Sequence, residues 1–213
     1  MNLMLAGEKQ TMRLHSYVVT HDKGFSPNPF WGCCTLADCK PAIRRTAKVG
    51  DWVAGLSPKA DGNRLIYAMQ VEEIVSYDKY YHDSRFAAKI PDYSIGKVVY
   101  KCGDNIYKPL PNGDFQQLQS MHSNGKSENH KTKAHDLGGK NVLISKTFYY
   151  FGSRPLDLPE SLDDLKVGRA HKNSFSPNIV SAFITFITRQ RAGINAPPTS
   201  WPRNDASWET AVP

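Results

Sequence analysis

Between His15 and Gly55 the chain gathers side chains that could do chemistry. Three of its four cysteines lie there, Cys33, Cys34 and Cys39. None of the three has the C-x-x-C spacing of a zinc knuckle or ribbon, so no metal is expected and small buried thiols are the ordinary reading. Cys39 is better placed for chemistry. It precedes a basic segment containing Lys40, Arg44, Arg45 and Lys48. A helix N-terminus and nearby cations both lower a thiol pKa. His15 or His21 could then serve as the base of a Cys/His pair.

The other histidines match no metalloenzyme motif. His122, His130 and His135 fall in a long polar stretch, and His122 reads as a solvated loop residue. His171 stands between Arg169 and Lys172, just before a capped helix, which is a phosphate-binding arrangement. A third set combines charge and flat rings. Lys23, Lys40, Arg44, Arg45 and Lys48 share a segment with Phe25, Phe30 and Trp31. Cations track phosphates and rings stack on bases, while Asn28 or Asp22 could read a base edge. On this reading Tyr17, Phe30 and Trp31 surround the base, and Lys40, Arg44, Arg45, Arg169 and Lys172 meet the phosphate. Trp31 and Arg44 are expected on one cleft. Solvation and core packing explain each of these residues singly; their proximity in sequence is the argument for binding.

The elements that must position these groups follow from pattern. Met12–Thr20 reads as a strand and Cys39–Lys48 as a short helix with Pro41 in its first turn. Trp52–Ser57 and Arg64–Val75 read as a hairpin. Aromatic spacing over 76–88 predicts a short helix, 97–101 a brief strand, and 111–139 a long polar loop. Asn141–Ser145 and Thr147–Phe151 give two more strands or one bent one. The clearest element is a helix with Ser176 as N-cap, Pro177 at its first position and the apolar stripe Ile179, Val180, Phe183, Ile184 and Ile187, ended by Gly193. Together these predict an α+β fold: a curved, mainly antiparallel sheet with short helices and a C-terminal amphipathic helix. The expected organisation is a flexible leader over residues 1–10, one domain over 11–193 and a flexible tail over 194–213. Trp201 and Trp208 are the residues by which that tail could dock.

The whole-chain numbers bound the answer. The chain has 213 residues, 40% of them hydrophobic and 22% charged, enough for one sizeable core. A net charge of +7 favours a polyanionic partner. Four cysteines are too few for a disulfide scaffold, and adjacent Cys33 and Cys34 suit reduced thiols in a cytoplasmic setting. The N-terminus lacks the pattern of a signal peptide, and no apolar run reaches membrane-spanning length.

Several blocks resemble the nucleotide modification associated domain 2 family of bacteria and phages. They are Ser16–Val19, Asp22–Phe30, Cys34–Pro41, Arg44, Gly50-Asp51-Trp52, Tyr67-Ala68-Met69, Gly103–Tyr107, Phe151-Gly152 and Gly168–Lys172. The resemblance runs over about residues 13–175. It implies a link to DNA base modification systems, drawn from gene context, and assigns no catalytic residue. A helix followed by Gly50-Asp51-Trp52 and a long hairpin is also similar, at the level of fold alone, to the PUA-like barrels, including EVE, YTH and ASCH domains. Those hold a base in an aromatic-lined pocket.

Two functions are therefore carried forward. The first is a module that recognises a nucleotide or a flipped, modified base, with DNA as the expected nucleic acid, no cofactor and base-modification enzymes as companions. The second is an enzyme of base modification or a nuclease using His15, Cys39, His135 or His171. Two such side chains and a lysine converging in one cleft would favour the enzyme.

Overall fold

The structure is a computed structural model that describes residues 12–168 and 170–211. The expected leader over residues 1–10 and the candidate Arg169 lie outside the described residues. Strand β1 (Leu14–Val18) runs parallel to β3 (Trp52–Leu56), in register from Leu14 opposite Trp52 to Val18 opposite Leu56. Parallel neighbours need a crossover rather than a tight turn. The segment between them supplies it, carrying β2 (Cys34–Leu36) and helix α1 (Pro41–Thr46). The chemically rich stretch is thus the crossover of a parallel pair.

β3 folds back on β4 (Leu65–Gln70), and β4 pairs antiparallel with β9 (Phe148–Tyr150). Two-residue strands finish the sheet. β10 (His171–Lys172) lies antiparallel to β1, and β11 (Gly193–Ile194) parallel to β9. The order is β10-β1-β3-β4-β9-β11. The sheet is therefore mixed, with three antiparallel and two parallel pairings, and no closed barrel forms among the described residues.

The run Arg64–Val75, expected as one strand, divides. After β4 the chain leaves for β5 (Glu73–Ser76), which pairs with β8 (Asn141–Ser145), itself paired with β2. Glu72 fixes the break by accepting from the Lys146 and Thr147 N–H groups. Helix α2 (Tyr77–His82) follows with Ser76 as its N-cap. Residues 97–101 form a 3-10 turn, Val98–Lys101, instead of a strand. The long polar loop is more ordered than its composition suggests. It holds β7 (Phe115–Gln117), paired with β6 (Tyr107–Pro109), and helix α3 (His130–Leu137), capped by Asn129.

Side-chain alternation sends Trp52, Ala54 and Leu56 to one face of the large sheet. Helix α4 (Pro177–Ile187) covers that face with Val180, Phe183 and Ile187, and its Ser176 cap accepts from Ile179 N–H. Each such burial contributes about 1.5–3 kcal/mol. The opposite face packs Tyr17, Val53, Tyr67 and Tyr150 against Phe30, Leu36 and Ile43 of the crossover. A third cluster joins Phe25, Tyr77, Tyr80 and Tyr107 beneath the second sheet.

The segment after Gly193, expected to be a flexible tail, instead lies against the body. Asp22 accepts from Thr199 N–H at 2.8 Å and also from the Tyr150 hydroxyl. The Trp201 ring lies 5.6 Å from that of Phe30, and Ala211 O accepts from Trp31 N–H. Prolines do break regular structure here, but irregular chain can still bury rings. Truncation after Ala196 is expected to lower the unfolding midpoint by roughly 6–12 °C, the equivalent of about 3 kcal/mol. An unchanged thermal transition would show that the docked segment holds nothing together.

Candidate functional site

At the carboxyl end of β1, where the chain departs into its crossover, a cleft of about 550 Å³ opens. Its walls come from Tyr17–His21, Lys23, Phe25 and Ser26, the Cys39–Ala42 turn, Met121 and His122, His135, and Ala170 and His171. Two lysines and four histidines face it, and among the described residues no carboxylate does.

Cys39 stands on a constrained turn. It has φ +57°, and Lys40 follows at φ +40°. Successive left-handed, non-glycine residues cost roughly 1–2 kcal/mol each and persist only where surroundings hold them. Two donors do so. Cys39 N–H donates to Asp136 Oδ1 at 2.8 Å, and Arg44 Nε donates to Cys39 O at 2.7 Å. The thiol is thereby aimed at His122, with Sγ 3.6 Å from Nε2. The other ring nitrogen, Nδ1, lies 2.6 Å from Asp136 Oδ2. Thiol, imidazole and carboxylate form one line. Packing fixes the imidazole: the Phe25 ring meets it edge-on at 4.7 Å, and His122 O accepts from Thr132 Oγ1 at 2.7 Å.

The carboxylate is equally well held. Tyr107 donates its hydroxyl to Asp136 Oδ2 at 2.8 Å. Burial works against the Asp136 charge, but His122 and the Cys39 and Tyr107 donors outweigh it and hold its pKa below the ordinary range. Burial likewise disfavours the His122 cation. Asp136, Cys39 and Asp38 overcome that and hold its pKa up at about 11. Neither carboxyl oxygen of neighbouring Asp38 has a hydrogen-bond partner, and burial together with Asp136 pushes its pKa well up. Of the two neighbouring carboxyls, Asp136 is the ionised one and Asp38 the neutral one.

Opposite signs follow for stability. His122, raised in the folded state above its ordinary 6.5, stabilises fully below about pH 6.5 and loses that contribution as pH rises toward about 11. Asp136, lowered, loses its contribution as pH falls through the carboxylate range. The stability difference between wild type and His122→Gln should therefore shrink on going from neutral to strongly alkaline pH, read from urea midpoints. A difference constant with pH would mean that His122 is not held charged.

Cys39, His122 and Asp136 are also the residues that could hold a metal, with donor atoms within 4.8 Å of one another. The ring, however, uses one nitrogen toward the thiol and the other toward the carboxylate. A single cation cannot be bound through both, so the arrangement suits a proton relay better than a chelate.

Of the expected residues, the structure brings Tyr17, His21, Lys23, Phe25, Cys39, Lys40, His135 and His171 to this cleft. Tyr17 spends its hydroxyl on Tyr67 at 2.8 Å and presents its ring to Lys40, whose Nζ lies 4.8 Å from the centroid. The other candidates among the described residues lie outside it. His15 is buried, with Nε2 3.4 Å from Asp51 Oδ2. Asp22 fastens the C-terminal segment. Asn28 has no edge left for a base, because its amide donates to Gly24 O and Cys102 O and its oxygen accepts from Phe30 N–H and Lys89 Nζ. Phe30 is core, and Trp31 packs partly buried between Phe30 and Lys89, away from the cleft. Arg44 is wholly buried, so it shares no cleft with Trp31. Arg45 donates to Gly138 O, and Lys172 donates to Asp164 O beside the Phe175 ring.

Sequence reasoning missed His122 as a site residue and did not find Asp136. They come from a segment whose polarity resembles a mobile loop. The available clue was Asn129 as an N-cap, which starts the helix that carries Asp136.

Fold and site together define a mixed α+β domain with a cationic cleft at the crossover of its central sheet. The chain belongs to the nucleotide modification associated domain 2 family, whose model matches residues 11–205, and the domain is associated with nucleotide modification systems. No curated protein and no solved structure matches the chain significantly. Among the described residues no helix is long and apolar enough to cross a membrane.

Proposed function

We propose that this domain is a thiol-dependent enzyme acting on a nucleotide or nucleobase held in the cleft. The observation that carries the reading is the Cys39–His122–Asp136 line in the cleft wall. Membership of a family associated with nucleotide modification supports that substrate class. Cys39 acts through a thiolate–imidazolium pair in which the proton already rests on the charged His122 ring, and the sulfur attacks an electrophilic substrate carbon bearing a leaving group. The S–C bond forms as the bond to the leaving group breaks, and the His122 proton goes to the departing atom. Water or an acceptor then displaces the sulfur, returning its own proton to His122. Asp136 keeps the imidazole oriented and stabilises its charged form. The cleft lies within the size range of small-molecule sites.

Pure recognition of a base is the second reading. An aromatic slot built from Tyr17, Phe30 and Trp31 would favour it, and only Tyr17 of these reaches the cleft.

Intact-mass spectrometry after incubation with plain and modified nucleotides separates the two. The enzyme reading expects an adduct on Cys39 or a converted nucleotide, both absent in Cys39→Ala. Nucleotide that binds equally well to both proteins and is recovered unchanged would leave recognition as the function.

A further inference from the structure

We propose that Lys40 and His171 form an anion subsite beside the thiol that takes a phosphate group of the substrate. The proposal rests on the nucleotide reading above and adds where the charged end of the ligand goes.

The two residues approach the same ring from different elements. Lys40 Nζ lies over the face of Tyr17. His171 pairs with Tyr17 across the β10–β1 edge, as its Cα partner in the register. Both line the cleft, and among the described residues no carboxylate lines it with them. Among the described residues neither side chain has a hydrogen-bond or ion-pair partner, although lysines elsewhere, such as Lys133 and Lys166, are paired. Two cation-capable groups are thus crowded into a partly desolvated pocket where no described carboxylate faces them and the Cys39 sulfur offsets only Lys40. Burial pushes both pKa values down, and His15 and Lys40 press the His171 value further in that direction. A bound oxyanion would relieve this, accepting charge-assisted hydrogen bonds from both groups. Lys40 directly follows Cys39 in the chain, so an anchored phosphate holds the attached nucleoside next to the sulfur. Lys172, which the sequence offered for this role, is occupied at Asp164.

The test measures binding, so it is independent of turnover. Imidazole resonances of His171 are followed by NMR while inorganic phosphate is added to wild type and to Cys39→Ser. Affinities of the four deoxynucleoside 5′-monophosphates are compared with those of their nucleosides in the same proteins. Phosphate should shift His171, and the monophosphates should bind at least about tenfold more tightly than the nucleosides. Lys40→Met and His171→Gln should each remove most of that preference, lowering monophosphate affinity far more than nucleoside affinity. An end-blocked oligonucleotide that shifts His171 as strongly assigns the phosphate to a nucleic-acid backbone, whereas a shift by monophosphates alone assigns it to free nucleotide. His171 resonances unmoved by phosphate, or a nucleotide preference that survives Lys40→Met, overturn the subsite. Because Cys39→Ser is measured in parallel, loss of the thiol mechanism would not disturb this result. An adduct on Cys39 without phosphate binding would leave the mechanism standing with an uncharged substrate.

Discussion

Under native conditions iodoacetamide should label Cys39 and leave the other three cysteines untouched. Burial pushes the Cys33 and Cys34 thiols up, and holds Cys102 up at about 12. Cys39 alone faces the cleft and an imidazole. Labelling should slow sharply in His122→Ala, which removes the cation paired with the sulfur, and partly in Asp136→Asn, which leaves the ring but weakens the hold on its charged form. Cys39→Ala should lower any turnover by at least about three orders of magnitude, since members of such a relay act as a unit. It should leave the unfolding free energy within about 0.5 kcal/mol, since the turn is held by backbone donors and acceptors. Equal labelling of all four thiols, or a rate indifferent to His122, would remove Cys39 from its role.

The second large effect is expected at Arg44. Its guanidinium is wholly enclosed and donates to Cys39 O at 2.7 Å, Asn141 O at 2.9 Å, Asp136 O at 2.5 Å and the Tyr77 hydroxyl at 2.5 Å. One side chain therefore ties the backbone of the nucleophile to the backbone of the acid. Arg44→Met takes a donor from three interior carbonyls, of which Asp136 O keeps the Tyr77 hydroxyl and Gly139 N–H, and should cost roughly 3–5 kcal/mol of stability. Arg44→Lys keeps the charge but loses the planar fork. It should retain more stability yet still slow Cys39 alkylation, because the turn is released. Gly139→Ala should resemble Arg44→Met, since a Cβ there would fall within the guanidinium. Urea unfolding decides it: a loss below about 1 kcal/mol for Arg44→Met would mean that the carbonyls find other partners.

How far the sequence revealed all this depends on the length scale of each signal. The cap and stripe of α4 are local, and Ser176, Pro177, Phe183 and Ile187 act in the structure as their spacing predicts. Leu14–Val18, Trp52–Leu56 and Pro41–Thr46 are likewise found within the expected runs. Pairing direction is not local. Nothing in the composition of β1 and β3 tells a parallel neighbour from an antiparallel one, so the mixed sheet was not legible there. Charge was a poor guide to exposure. Arg44 reads as a cation meeting phosphate in a cleft, yet carbonyls enclose it, as they enclose Lys89 through Asn28, Phe30 and Cys33. The prominence of Cys39 was readable from its place before a basic helix. Its partners were not: His122 stands 83 residues away, and a further 14 separate it from Asp136.

The crossover between β1 and β3 has a consequence for the protein as it is made. The thiol emerges from the ribosome long before the imidazole and carboxylate that would activate it, and the residues that clasp Asp22 come last. A nascent or prematurely ended chain therefore carries an ordinary cysteine, no more reactive than one in a peptide. Long-range closures of this kind form late and cooperatively. On the proposed reading, the thiol would become reactive only after His122 and Asp136 have folded against it, which would spare the cell a half-built thiol among its own nucleotides.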